Sequence, residues 1–224
     1  MAQDGGAAAL ETARRTMVDC QVRPSDVTDV ALIDAMLETP RELFLPKSRR
    51  AVAYIGEHID LGDGRVELDP RILAKMIDAA RPGPDDLAMV LGSGAGYAAA
   101  VLSRLCPAVV AVEPSDALRA VAEAGFAAAG ADNVISVAAP MAEGCAKHAP
   151  YNVVFVNGAV TVDIPEGIKA QLADGGRMSF VRMRGVIGRC EVLRRDGDAF
   201  GVRAAFDATA PALPEFVGAQ QFVF

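Results

Sequence analysis

Three glycines and one carboxylate, set a fixed distance apart, carry the first recognisable chemistry in this chain. Gly92, Gly94 and Gly96 follow the apolar run Leu87-Ala-Met-Val-Leu91, and Glu113 closes a second apolar run, Val109-Val-Ala-Val112, 21 positions after Gly92. Glycines at a strand end let the backbone turn tightly and let a ligand approach without a Cβ in the way. An alanine-rich segment, Ala98 to Leu105, follows the turn. Its helix would start near Gly96 and aim free N–H groups and a positive dipole end at that space. An acid at the neighbouring strand tip accepts hydrogen bonds from both hydroxyls of a ribose. Strand, turn, helix and strand make the unit that builds parallel sheets.

The spacing narrows the ligand. A dinucleotide fingerprint needs a third glycine where Tyr97 stands. G-x-G-x-G leans instead toward S-adenosylmethionine, whose amino-acid end needs no pyrophosphate cradle. The bland alternative is a glycine turn that only packs a helix against a sheet, and Glu113 weighs against it. Gly92, Ser93, Gly94, Gly96, Tyr97 and Glu113 are therefore the expected cofactor contacts. A second candidate group is Arg65, Glu67 and Asp69, in the glycine- and acid-rich stretch Gly56 to Asp69 ahead of that unit. Loops in that position often carry substrate contacts. Arg65 is able to steer a carboxylate, and Glu67 and Asp69 a cationic group. Solvated loop charges, with Asp69 near a helix N-terminus, are the plainer reading. Asn157, at a later strand tip, is either a site residue or a turn former.

Other chemistries are poorly supplied. His58 and His148 have no second ligand at metal spacing, so no metal site is expected. Ser93 and Ser103 lack a base partner at a recognisable spacing. Cys20, Cys106, Cys145 and Cys190 lie far apart without a C-x-x-C pair, which suits neither zinc nor a disulfide framework and fits a reducing cytoplasm. The net charge of −7 argues against a nucleic-acid backbone or an anionic membrane as general partner. No run approaches the about 20 apolar residues of a membrane span. Asp4 and Glu11 interrupt the N-terminal region, which has no signal-peptide core, so a cytoplasmic location is expected.

The elements that must position these residues follow from periodicity. Residues 1 to 7 are expected to fray and Ala8 to Val22 to be helical. Thr28 is a plausible N-cap for a helix that Pro40 ends. Ser48 to Tyr54 reads as a helical turn, and Gly56 to Asp69 as a loop or short hairpin. Pro70 starts an amphipathic helix that runs to about Ala80. Beyond Glu113, a helix from Pro114-Ser115 ends at Gly130. Strands are expected at Asn133–Val137, Tyr151–Val156 and Arg177–Met183, with Ile164–Leu172 helical. Arg189–Arg195 and Phe200–Asp207 read as an antiparallel pair, and Gln221–Phe224 as a docked apolar end. At 224 residues, with 52% hydrophobic and 23% charged residues, one ordered domain is the simplest count. The pattern gives a doubly wound, mixed α/β sheet with helices on both faces.

From about Met17 to Phe224 the chain resembles the protein-L-isoaspartate O-methyltransferase family. The resemblance rests on Met36-Leu-Glu-Thr-Pro-Arg-Glu-Leu-Phe-Leu-Pro46, Ala53-Tyr54, Gly62-Asp63-Gly64 leading to Pro70, Gly92-Ser-Gly-Ala-Gly-Tyr97, Ala149-Pro-Tyr151 and Gln171-Leu-Ala-Asp-Gly-Gly-Arg-Met178. It implies a Rossmann-like class I methyltransferase fold with a seven-stranded sheet. Residues 1–84 would form a helical extension and substrate loop, and 85–224 the methyltransferase domain, in one compact unit. It also implies methyl transfer from S-adenosylmethionine to the free carboxylate of isoaspartyl residues in damaged proteins, as a repair step. Three departures stand out. Val90 replaces an acid two residues before the first glycine. Ala139-Pro140-Met141 replaces a Gly-Asp-Gly whose acid contacts adenine. Val66 and Leu68 replace two hydroxyls of the substrate loop. These replacements motivate a second reading, a methyltransferase fold kept as a weakened or inactive binding or regulatory module.

Overall fold

The chain opens on helices. In the computed structural model, which describes residues 2–218, α1 spans Ala2–Met17. A π-helical stretch, Val18–Val22, and a 3-10 turn holding Pro24 follow it. Residues 2 to 7 are thus helical rather than frayed, although Gly5 and Gly6 are poor helix formers. In α2, Val30–Glu38, the N-cap is Asp29 and not Thr28: its carboxylate accepts the Leu32 N–H at 3.1 Å. An acid at that position caps and also suits the positive helix end. Thr39, just before Pro40, is extended, so the helix stops there. Two 3-10 turns, Arg41–Phe44 and Lys47–Val52, lead on.

The glycine- and acid-rich stretch is a hairpin. β1, Ile59–Gly62, pairs antiparallel with β2, Arg65–Glu67, around Gly62, Asp63 and Gly64, all at positive φ. Alternation along β2 sends Arg65 and Glu67 to the same buried side. Asp69 then caps α3, Pro70–Ala80.

The sheet is built from β3 (Leu87–Leu91), β4 (Ala108–Val112), β5 (Val134–Val137), β6 (Tyr151–Val160), β7 (Leu172–Arg184), β8 (Ile187–Asp196) and β9 (Ala199–Asp207). Between them lie α4 (Tyr97–Leu102), α5 (Asp116–Ala129) and α6 (Glu166–Lys169). The order is β5-β4-β3-β6-β7-β8-β9, parallel through β7 and antiparallel beyond it. The chain leaves β3 toward β4 on one side and returns to β6 on the other. The crevice at the strands' C-terminal ends therefore opens beside β3, where ligands bind in such sheets.

Three expected elements shift. The strand expected to end at Val156 runs on to Val160, because Ala159 and Val160 pair with Val181 and Arg182 of β7, and Ala159 also bonds the C-terminal segment: its N–H donates to Pro211 O, and Leu213 N–H to Ala159 O. The helix expected over 164–172 shrinks to α6, since Leu172 joins β7 opposite Tyr151. The strand expected at 177–183 lengthens for the same reason. Gln221–Phe224 lies outside the described residues.

Period-2 alternation divides the core. Ala88 and Val90 face one hydrophobic cluster with Met17, Leu32, Leu73 and Tyr97, and Met89 and Leu91 face another with Ile168, Leu213 and Phe216. The N-terminal helices and α3 thus share a core with the sheet. Val90 lies fully inside that core.

Candidate functional site

After β3 the backbone turns through Gly92, Gly94 and Gly96, whose φ values are 67°, 59° and 99°. Each of those conformations disfavours a side chain, and two positions are also filled from outside. A Cβ on Gly96 would lie 2.8 Å from Ala122 and Phe126 of α5, so this glycine lets helix and turn pack. A Cβ on Gly92 would lie 2.7 Å from the Arg65 guanidinium and 2.9 Å from the Met141 sulfur. Ser93, itself buried, ties the turn to the next strand: its N–H donates to Val112 O at 3.0 Å, and Gly96 N–H donates back to Ser93 O at 3.0 Å.

Glu113 stands one residue past β4 and is only 1% exposed. Its Oε2 accepts from Gly94 N–H at 2.8 Å and from Arg65 Nη2 at 2.7 Å. Its Oε1 accepts from Ser115 N–H at 3.2 Å. Gly94 N–H thereby fastens the glycine turn to the acid. The third donor comes from the hairpin. Arg65 is buried, its Nη1 lies 2.9 Å from Met141 Sδ, and its Nε has no partner among the described residues. Burial pushes the guanidinium pKa down, and the charges of Glu113 and Glu215 oppose that. Leu61 of β1 completes the cover, 3.3 Å from where a Gly94 Cβ would be. Asn157 Nδ2 donates to Gly92 O at 3.1 Å from the β6 side, so it supports the turn directly.

Tyr97 is not brought to this cradle by its side chain. Its ring is fully buried in the core, 6.0 Å from Phe44 by ring centroids, with the Arg41 guanidinium 5.0 Å above it. Its hydroxyl has no hydrogen-bond partner, and burial raises its pKa. Beside it lies a second buried charge pair, Arg41 Nη1 to Glu67 Oε1 at 3.4 Å. Arg41 Nη2 also donates to Leu68 O at 2.6 Å. Among the described residues neither oxygen of Glu67 has a hydrogen-bond donor, and burial pushes its pKa up to about 7 against the pull of Arg41.

The three substrate candidates are therefore already engaged. Arg65 holds Glu113, Glu67 faces Arg41, and Asp69 caps α3 by accepting Arg71 N–H at 2.8 Å while the Arg71 guanidinium grips its carboxylate at 2.6 Å. Burial alone would raise the Asp69 pKa, but its bonds to Arg71 hold it below the usual range. His58 Nδ1 accepts Asp69 N–H at 2.9 Å. Among the described residues no three His, Cys, Asp or Glu side chains cluster for a metal. Arg41, Leu61 and Met141 were not singled out from sequence. The signals for Arg41 and Met141 were their places in the Pro-Arg-x-x-Phe motif and in Ala139-Pro140-Met141, whereas apolar Leu61 carried none.

The family model described as protein-L-isoaspartate(D-aspartate) O-methyltransferase matches residues 13–189. A protein-L-isoaspartate O-methyltransferase of Methanoregula boonei is 35% identical over 187 residues, 84% of this chain and 86% of that one. Its counterpart in Roseiflexus castenholzii is 36% identical over 165 residues, 74% of this chain and 75% of that one. Among solved structures, a protein-L-isoaspartate O-methyltransferase superposes with a TM-score of 0.77 at 23% identity, over 89% of this chain and 65% of that one. A Plasmodium falciparum structure in complex with S-adenosyl-L-homocysteine gives 0.77 at 14% identity, over 90% and 98%. The two superpositions establish the methyltransferase sheet and its flanking helices, and the sequence matches go further: this chain belongs to the protein-L-isoaspartate O-methyltransferase family.

Proposed function

We propose that the chain carries out the family's reaction, S-adenosylmethionine-dependent methylation of the free carboxylate of isoaspartyl residues. The observation that carries this reading is the family match over residues 13–189, which spans the hairpin, the glycine turn and Glu113 together. The chemistry asks for positioning more than for acid–base work. A free α-carboxylate has a pKa of about 3.5, so the acceptor is ionised at neutral pH and no side chain has to remove a proton. The cofactor supplies the methyl group on a positive sulfur, and alignment of the two reactants supplies much of the acceleration. Gly92, Ser93, Gly94, Gly96 and Glu113 are the residues assigned to the cofactor. The substrates are isoaspartyl-containing proteins and peptides. Four free cysteines suit a cytoplasmic setting.

In this structure the Arg65 side chain lies over the Glu113 side of the cradle. Arg65 and Met141 already touch the place that Gly92 keeps clear of a Cβ, and both oxygens of Glu113 already have donors. The direct test is incubation with methyl-labelled S-adenosylmethionine and an isoaspartyl peptide, with base-labile methyl ester as readout. Label above a no-enzyme blank is expected. None with either the wild type or the Arg65→Gln variant overturns the reading.

A further inference from the structure

We propose that Arg65 is an intrachain plug, its guanidinium taking the place on Glu113 that a ribose hydroxyl would take and leaving it only when the β1–β2 hairpin shifts. The inference rests on the cofactor reading above and adds a control that the family assignment does not contain.

Three observations carry it. The first is geometric. The glycine that leaves open space at the strand end faces a side chain of the same chain: Arg65 Nη2 is 2.7 Å from a Gly92 Cβ position and 2.7 Å from Glu113 Oε2. A donor from a ribose and a donor from a guanidinium compete for one carboxylate oxygen. The second is chemical imbalance. Arg65 Nε is buried without a partner, and Glu67, two residues along the same strand face, has no donor on either oxygen. Desolvated charges with unmade hydrogen bonds make the closed arrangement costly to hold, so opening returns polar groups to water. The third is topological. β1 and β2 form a separate two-stranded sheet and share no strand pairing with the seven-stranded sheet. The hairpin is thus able to move without breaking that sheet.

A closed fraction lowers the apparent affinity for the cofactor by the fraction of molecules that are open. Removing the plug removes that factor. The experiment is calorimetric titration of the full chain with S-adenosylhomocysteine, comparing wild type, Arg65→Ala and Arg65→Gln. Both variants are expected to bind at least about 10-fold more tightly than wild type. Hydrogen–deuterium exchange on the wild type gives a readout that needs no variant: protection over residues 59–67 should fall when S-adenosylhomocysteine is bound. Equal or weaker binding by the variants overturns the proposal. So does undetectable binding by all three proteins, or bound wild type with unchanged protection over 59–67. The underlying activity is scored separately. Tight binding by the variants without methyl ester on an isoaspartyl peptide removes the enzyme reading and leaves the plug. Ester formation with equal affinities removes the plug and leaves the enzyme.

Discussion

Two buried ion pairs hang from one short strand, and they are satisfied very differently. Arg65 and Glu67 both point inward from β2. Arg65 meets Glu113 at 2.7 Å, and Glu113 also accepts two backbone N–H groups. Glu67 faces Arg41 at 3.4 Å and accepts no hydrogen bond at all. The first carboxylate is surrounded by donors that stabilise its charge. The second is surrounded by core, and burial carries its pKa to about 7. Burial of a pair is therefore a poor guide to its strength, since the hydrogen bonds that complete the acid decide whether the charge is held. The difference also bears on function, because the pair at the cradle is the one whose carboxylate is satisfied while its Arg65 Nε is not.

The largest expected effect comes from breaking the stronger pair. Glu113→Gln leaves Arg65 desolvated without its counter-charge and should cost about 3–5 kcal/mol in urea unfolding. Adding Arg65→Gln should recover part of that loss, and the double-mutant cycle measures the coupling. A loss under about 1 kcal/mol would mean that Arg65 reaches water once its partner is gone. That result would remove the contrast between the pairs. A smaller effect is expected at the weaker pair. Arg41→Met keeps length and apolar bulk over Tyr97 but takes the donor from Leu68 O. It should cost about 2–3 kcal/mol near neutral pH, less than a fully charged pair would, because Glu67 is able to take up a proton instead. Urea midpoints of this variant at pH 5.5 and at pH 7.5 check it, and the cost should be lower at the acidic value. Equal costs at both would mean that Glu67 stays ionised.

The contrast also shows what a sequence can carry. The glycine turn, Glu113 at the next strand tip, the helix from Pro70 and the mixed sheet were legible, because local backbone needs and alternation of apolar residues impose them. The extension of β6 past Asn157 was not, since it depends on pairing with Val181 and Arg182 of β7 and on Pro211 and Leu213, about fifty residues away. Nor was the short α6, which loses residues to a strand that pairs with Tyr151. At the site, Arg65 read as a loop charge, either solvated or steering a substrate carboxylate. Its ion pair with Glu113, forty-eight positions on, depends on how the hairpin folds across the turn. Tyr97 follows the glycines and so looked like a cradle residue, yet its ring belongs to the helical core. Periodicity says which side of an element is buried, and only packing says against what.

The finest test of the comparison uses protons in place of side-chain deletion. Glu67 has a folded-state pKa of about 7, raised by burial, against about 4.3 in an unfolded chain. Between those values the folded protein holds more protons at this site than the unfolded one. Stability from this group is therefore fully present below about pH 4.3 and is lost as pH rises through about 7. From pH 5.5 to pH 8 the loss amounts to about 2 kcal/mol. Glu67→Gln removes the ionisation and keeps the shape, so the gap between wild type and variant isolates Glu67 from every other titrating group. Urea unfolding of both proteins at matched pH values should show the wild type falling relative to the variant as pH rises. A flat difference would mean that Arg41 keeps Glu67 charged throughout, and the two pairs on β2 would then be alike in kind.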